Sequence, residues 1–312
     1  MARRDIVVFG GSGFIGRYLV RHLAQQGWRI VVAVRDPIDA RVLQPLGDVG
    51  QIVPVACDVG DPQQVAAVLA RADAAVNLVG LLYERGKQTF RRIHVDAARN
   101  IGEAAAAAGI TRVVQVSAIG AAANSPSNYA RSKAAAEEAL RKAVPQAVIL
   151  RPSIVFGPED GFFNLFARIA TLSPVLPLFG GGMTRFQPVY VDDVARAIAA
   201  ALELPEAAGR TYELGGPRVF TFRQLMEIVR RETRRHPILV PVPFALASLK
   251  AMFLQLLPVP PLTTDQVRLL KIDNVVAPGA HTIAELGIVP TTVDIIVPTY
   301  LARYRRHAPD QR

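Results

Sequence analysis

The feature that most constrains this chain is "VVFGGSGFIGRYL", where Gly10, Gly13 and Gly16 recur every third residue between a β-rich run and a helical one. Each glycine answers a steric demand: a tight turn, close approach of backbone to a ligand, and close packing of helix on strand. The helix that follows offers N–H groups and the positive end of its dipole, which suit phosphate. In the first βαβ unit of an alternating chain, the pattern points to a bound dinucleotide. Ser12, Phe14 and Ile15 join the three glycines as candidate cofactor contacts.

The first 150 residues sustain that alternation. "DIVVFG", "RIVVAV", "IVPVA", "AAVNLVG", "RVVQVS" and "AVILRP" read as strands, with helical runs between them, including one long helix over "FRRIHVDAARNIGEAAAAAG". Near-continuous apolar strands imply burial on both faces. The expected class is therefore α/β: a doubly wound Rossmann parallel sheet with a smaller, irregular C-terminal lobe. The run "AAAAA" at 104–108 is expected to pack closely on the sheet. Residues 1–153 form the Rossmann domain, completed by about 188–204, where Asp192 or Asp193 caps a helix. Residues 154–187 and 205–312 form the smaller lobe.

The strand after the glycine turn reports which dinucleotide. An NAD site usually carries a carboxylate about 20 residues on, at the end of that strand. Here "VVAVRDP" puts Val34 and Arg35 at the strand end, with Asp36 only after them. Arginine pairs with a 2′-phosphate, so NADP(H) is favoured over NAD(H). Asp58 ends the third strand and reads either as an adenine contact or as a turn residue. Val59, Val79, Gly80 and Pro152 complete the candidate cofactor set. Tyr129 and Lys133 share a helix face at i and i+4, the spacing of a proton donor and its helper.

Composition narrows the setting. Cys57 is the only cysteine and the five histidines show no metal-ligand spacing, so no disulfide and no metal are expected, and a reducing, cytoplasmic compartment fits. "MARR" runs straight into the first strand without a secretory pattern. The stretch "PFALASLKAMFLQLLP" holds 14 residues between its prolines. As a helix it is about 21 Å long, short of the ~30 Å hydrocarbon core. It reads either as core or as a surface that docks on lipid or on a membrane protein. The net charge of +10 is partly clustered at 230–236 and 303–307. Those clusters are solvated helix ends, or contacts for an anionic membrane surface or an acidic partner. No aromatic–basic motif points to nucleic acid.

The glycine pattern, "CDVGDP", "NLVG", "NYARSK", "LRPSIVFGPED" and "PVYVDDVARAI" resemble an extended or atypical short-chain dehydrogenase/reductase from about residue 5 to 215. More narrowly, "YARSKAAAEEALRKAVPQAVILRPSIVFGPEDGFFNLFARIA" and "PLTTDQVRLLKIDNVV" are similar to the alpha-subcomplex subunit 9 accessory family of respiratory complex I, in its bacterial members. The superfamily resemblance implies that Tyr129 exchanges a proton during hydride transfer and that Lys133 lowers its pKa and holds the ribose. It also implies a serine at the end of the fifth strand. That slot reads as Ala118, leaving Ser117 one residue early. The narrower resemblance implies an NADP(H)-binding accessory or assembly subunit with little or no catalysis, peripheral on the cytoplasmic face of the inner membrane. The alternatives are an NADP-dependent reductase, epimerase or isomerase acting on a quinone, isoprenoid or sterol-like substrate, and a redox-sensing regulator.

Overall fold

The structure, a computed structural model, describes residues 4–258 and 260–305. The chain divides into two units. The first comprises residues up to Pro152, Val191–Leu214 and Ala277–Val289. Its strands are β1 (Asp5–Phe9), β2 (Arg29–Val34), β3 (Ile52–Ala56), β4 (Ala74–Asn77), β5 (Arg112–Val116), β6 (Val148–Pro152), β11 (Thr211–Leu214) and β14 (His281–Thr282). They form one parallel sheet in the order β14-β11-β6-β5-β4-β1-β2-β3. The order reverses between β1 and β4, and in such sheets ligands sit outside the carboxyl ends of the strands at that reversal.

The helices of this unit are α1 (Phe14–Gln25), α2 (Pro62–Leu69), α3 (Ala97–Ala107), α4 (Asn128–Ala143) and α6 (Val191–Glu203). Val65, Leu69, Ile101 and Leu140 from α2, α3 and α4 pack with Val7, Phe9 and Ile149 of the sheet in one buried cluster. α1 packs against α6. Burial, followed by the charges of Asp58 and Asp61, pushes the Cys57 thiol up to about 11, so it stays protonated and serves as apolar filling.

Several expectations are corrected. The sheet does not end its C-terminal contribution at 204, because Thr211–Leu214 pairs with β6 and His281–Thr282 pairs with β11. The long helix is broken at its start: Arg91–Asp96 is a π-helical turn before α3. Ala105 is buried, but Ala106, Ala107 and Ala108 face solvent, so only part of the alanine run meets the protein. Asp192 and Asp193 lie inside the first turn of α6, where they favour the positive end of its dipole instead of capping it.

The second unit comprises Ser153–Tyr190, Gly215–Val276 and the chain from Pro290 onward. Its strands are short pairs: β7 (Val155–Phe156) with β10 (Val189–Tyr190), β9 (Arg185–Phe186) with β12 (Phe220–Thr221), and β8 (Val175–Phe179) with β13 (Ile238–Val242). Around them lie α5 (Phe163–Leu172), α7 (Phe222–Thr233), α8 (Phe244–Leu254), α9 (Thr264–Leu269) and α10 (Val293–Leu301). Phe156, Phe163, Phe166, Phe186 and Phe222 make an aromatic core. Asp160 of "GPED" accepts from the backbone N–H groups of Gly157, Phe162 and Asn164 and from the Tyr300 hydroxyl, so it holds a turn together. Arg231 of the first basic cluster is paired with Glu232 and Asp294. In the second cluster, Arg306 and His307 lie outside the described residues.

Gly16 admits no side chain, since a Cβ there would stand 2.4 Å from the Gly11 carbonyl oxygen. Gly16→Ala is expected to cost about 1–3 kcal/mol, read as a lower urea midpoint at unchanged slope. An unshifted midpoint would refute the close packing of α1 on the turn.

Candidate functional site

The glycine turn closes on itself at the end of β1. Gly10 has φ +76°, a conformation costly for any side chain, and its N–H donates to the Ala33 carbonyl at 3.0 Å. The Gly13 N–H donates to the Gly10 carbonyl at 3.1 Å. Gly13 is also the N-cap of α1, with no side chain capping it. Phe14 and Ile15 open the helix, and the Arg17 N–H bonds to the Gly13 carbonyl. Arg17 Nε also donates to the Ser12 carbonyl. The helix therefore presents its N-terminal N–H groups outside the carboxyl end of β1.

Other candidates converge on this turn. A Cβ at Gly10 would stand 3.3 Å from Val79 Cγ2, so Val79 borders the turn directly. A Cβ at Gly80 would stand 3.8 Å from Lys133 Nζ. Gly10, Val79, Gly80 and Lys133 are thus successive neighbours, although they span more than 120 residues of sequence. At the end of β2, Arg35 is exposed and makes no salt bridge among the described residues. Asp36 is turned back, its Oδ1 accepting the Ile38 N–H at 2.8 Å.

The remaining candidates are occupied elsewhere. Asp58 accepts from Arg92 at 2.6 Å and from the Gly60 N–H at 2.9 Å, so its carboxylate serves a turn and an ion pair. The Val59 side chain lies in the core, and its carbonyl accepts from Asn100. Pro152 is buried at the end of β6, and its carbonyl accepts the Ile119 N–H at 3.0 Å.

Ser127 caps α4 by accepting the Ala130 N–H, and Tyr129, Lys133 and Glu137 follow at four-residue intervals along one face. Lys133 Nζ donates to the Val116 carbonyl at 2.9 Å. Burial pulls the Lys133 pKa down to about 8 against the opposing pull of Glu137, while burial pushes Tyr129 up to about 12. The next residue of β5's end, Ser117, donates its hydroxyl to Glu137 Oε1 at 2.5 Å. Arg151 clamps the same carboxylate with two bonds, at 2.9 and 2.7 Å. Ser117 therefore spends its hydroxyl on Glu137, and the residue after it is Ala118.

Sequence reasoning missed His94, which lies in the π-helical turn. It is 2% exposed. Its Nε2 accepts the Leu81 N–H at 2.9 Å, which leaves Nδ1 to donate to Ser132 Oγ at 2.8 Å. Ser132 in turn donates to the Tyr129 carbonyl at 2.7 Å. The imidazole stacks on Phe90 and meets the Tyr129 ring edge-on at 5.6 Å. The only local signal was Phe90 and His94 at i and i+4, which reads equally well as ordinary packing.

Burial, reinforced by the Lys133 charge, lowers the His94 pKa from 6.5 to about 3. The native state refuses a proton that the unfolded chain accepts. The associated stability is full above pH 6.5 and shrinks as pH falls toward 3. His94→Gln is expected to flatten the stability profile between pH 6.5 and 5, where the wild type should lose ~2 kcal/mol through this residue. Chemical denaturation at several pH values measures it, and parallel profiles for the two proteins would contradict the assignment.

Residues 6–215 match the NAD dependent epimerase/dehydratase family. The chain is 40% identical over 319 residues to NADH dehydrogenase [ubiquinone] 1 alpha subcomplex subunit 9, mitochondrial, of Arabidopsis thaliana, covering 97% of this chain and 78% of the relative. It is 39% identical over 209 residues to a ceramide reductase of Caulobacter vibrioides, covering 65% of this chain and 62% of that protein. A UDP-glucose 4-epimerase of Thermus thermophilus, solved in complex with NAD, is similar with a TM-score of 0.63 at 24% identity, covering 77% of this chain and 86% of that one. The chain belongs to the NAD dependent epimerase/dehydratase family, and within it to the alpha subcomplex subunit 9 proteins of complex I.

Proposed function

We propose that this chain binds NADP(H) and acts as an accessory or assembly subunit of respiratory complex I, with little or no catalysis. In this reading it works on the cytoplasmic side of the membrane that carries that complex. The likeness to subunit 9 along 97% of the chain supports the partner. The observation that supports weak catalysis is the bond from Ser117 to Glu137, which engages the Ser117 hydroxyl, while the next residue, Ala118, has no hydroxyl to offer a substrate oxygen. Loss of one such donor costs roughly 10²–10³ in rate.

The residues fit a dinucleotide. Gly10 takes the positive φ that closes the turn, Gly16 lets α1 pack tightly on it, and the uncapped start of α1 suits phosphates. Lys133 would hold the ribose, and Arg35 would pair with a 2′-phosphate, because Asp36 is engaged by the Ile38 N–H. A bound nicotinamide would supply hydride exchange, and Tyr129 and Lys133 would hold the proton that accompanies it. Bound nucleotide in this reading chiefly stabilises the fold by mass action.

A second reading is an NADP-dependent reductase of an apolar substrate. The 39% identity to ceramide reductase and the intact Tyr129–Lys133 pair favour it. Here Tyr129 donates the proton and Lys133, with its pKa near 8, tunes it.

Arg35→Ala is expected to weaken NADPH binding roughly ten- to hundredfold while leaving NADH almost unchanged, measured by calorimetric titration. Equal losses for both nucleotides would reject the 2′-phosphate role. Tyr129→Phe separates the two readings. In the first, the variant co-migrates with complex I on native gels as the wild type does. If the wild type runs free of complex I, and oxidises NADPH with long-chain ketones only while Tyr129 is intact, the reductase reading prevails.

A further inference from the structure

The helix α8 is built the wrong way round for a soluble surface. It is held to the second unit by Ala247 and Ala251, packed with Val267. At about 100° per residue, the sector opposite those alanines carries Ala245, Leu246, Leu249, Met252, Phe253 and, just past the helix end, Leu256. All six are exposed, Leu249 at 52%, Phe253 at 64% and Leu256 at 79%. No polar side chain interrupts that sector; Ser248 and Lys250 stand at its two borders. Isolated exposed leucines need no explanation, but a contiguous apolar face of this size marks a contact surface. Among the described residues, no helix is long and apolar enough to cross a membrane.

We infer that the outward face of α8 inserts, parallel to the surface, into the interfacial layer of an anionic phospholipid bilayer. Charge complementarity selects this occupant. α8 carries no acidic residue. Its flanking cations Lys250 and Lys271 are exposed and in no salt bridge among the described residues, and Lys271 sits 5.7 Å from the Phe244 ring at the helix start. The nearby Asp265 is paired with Arg268. The residues of the second unit contribute 15 Lys and Arg against 8 Asp and Glu, most of the chain's net +10. The face also lacks Trp, Tyr and Arg, the side chains that anchor specific protein interfaces, whereas Leu, Met and Phe rimmed by lysine suit lipid. The inference is independent of the nucleotide reading: failure to co-migrate with complex I would count against that reading and leave this surface intact.

The experiment is flotation of the full chain with phosphatidylcholine vesicles, with and without roughly a third phosphatidylglycerol. The wild type is expected to float with the anionic vesicles and to be released by salt. Leu249→Asp with Phe253→Asp should reduce binding at least about tenfold with an unchanged thermal midpoint, since neither side chain packs inward. Lys250→Gln and Lys271→Gln should each weaken it roughly fivefold. Absence of flotation, or flotation undiminished in the double aspartate variant, overturns the inference. A concentration-dependent dimer that the double variant abolishes, without vesicle binding, overturns it in favour of a second copy of the chain.

Discussion

The buried carboxylate of Glu137 is the interaction on which the site depends. It accepts from Ser117 at the end of β5 and from Arg151 in β6, while one turn earlier Lys133 grips the carbonyl of Val116. Two successive residues of the strand are therefore pinned to two successive turns of α4. The position of Tyr129 against the sheet is set before any ligand arrives. The cost of burying these charges is offset only because both oxygens of the carboxylate are satisfied; a lone member would leave an uncompensated charge worth about 3–5 kcal/mol. The same geometry that fixes the pair engages the Ser117 hydroxyl. Placement of Tyr129 and engagement of the Ser117 hydroxyl are thus two consequences of one residue.

The electrostatics of the site follow from exclusion of water. Burial is the largest influence on Tyr129, Lys133 and His94 alike, and in each it favours the neutral form. His94 is neutral across physiological pH, so it orients Leu81, Ser132 and the Tyr129 ring without adding charge. Only Lys133 titrates near neutrality. With its pKa about 8 the lysine is still mostly cationic at neutral pH, and an anion beside its Nζ would raise that pKa and hold the charge more firmly. Such a group suits retention of a nucleotide as well as it suits proton exchange, which is why the pair alone does not distinguish a binder from an enzyme.

How far the sequence reveals this depends on the range of each interaction. Strands β1 to β6 were legible because each is a near-continuous apolar run, and the glycine turn because its demands are local. β11 and β14 were not: "TYEL" and "HT" are short and partly polar, and only pairing with β6 and with each other makes them strands. Asp58 was read as a strand-end acid, since its partner Arg92 lies 34 residues away. The Glu137 network joins residues 14 and 20 positions apart, and no spacing rule links them. His94 was invisible for a similar reason. Its role comes from Leu81, which reaches it from the far side of a loop, and from Ser132 on another helix.

The helix α8 shows the opposite limit, where a local pattern was plain and its meaning depended on what lay beneath. A sequence so uniformly apolar suggests a core helix, yet the second unit already has a core filled by phenylalanines, and α8 meets it only at its edge, through Phe179. Only Ala247 and Ala251 are buried along the helix. Folding therefore gains little from Leu249, Met252 or Phe253, whose surface remains in water in the isolated chain. Polar residues at those positions would keep the helix and improve solubility. Apolar side chains that stabilise nothing within the molecule have their energetic return outside it, in a phase that accepts them without demanding shape complementarity. A bilayer interface would do so, and in the inference drawn above the lysines at the border of the face would supply the attraction that brings it down.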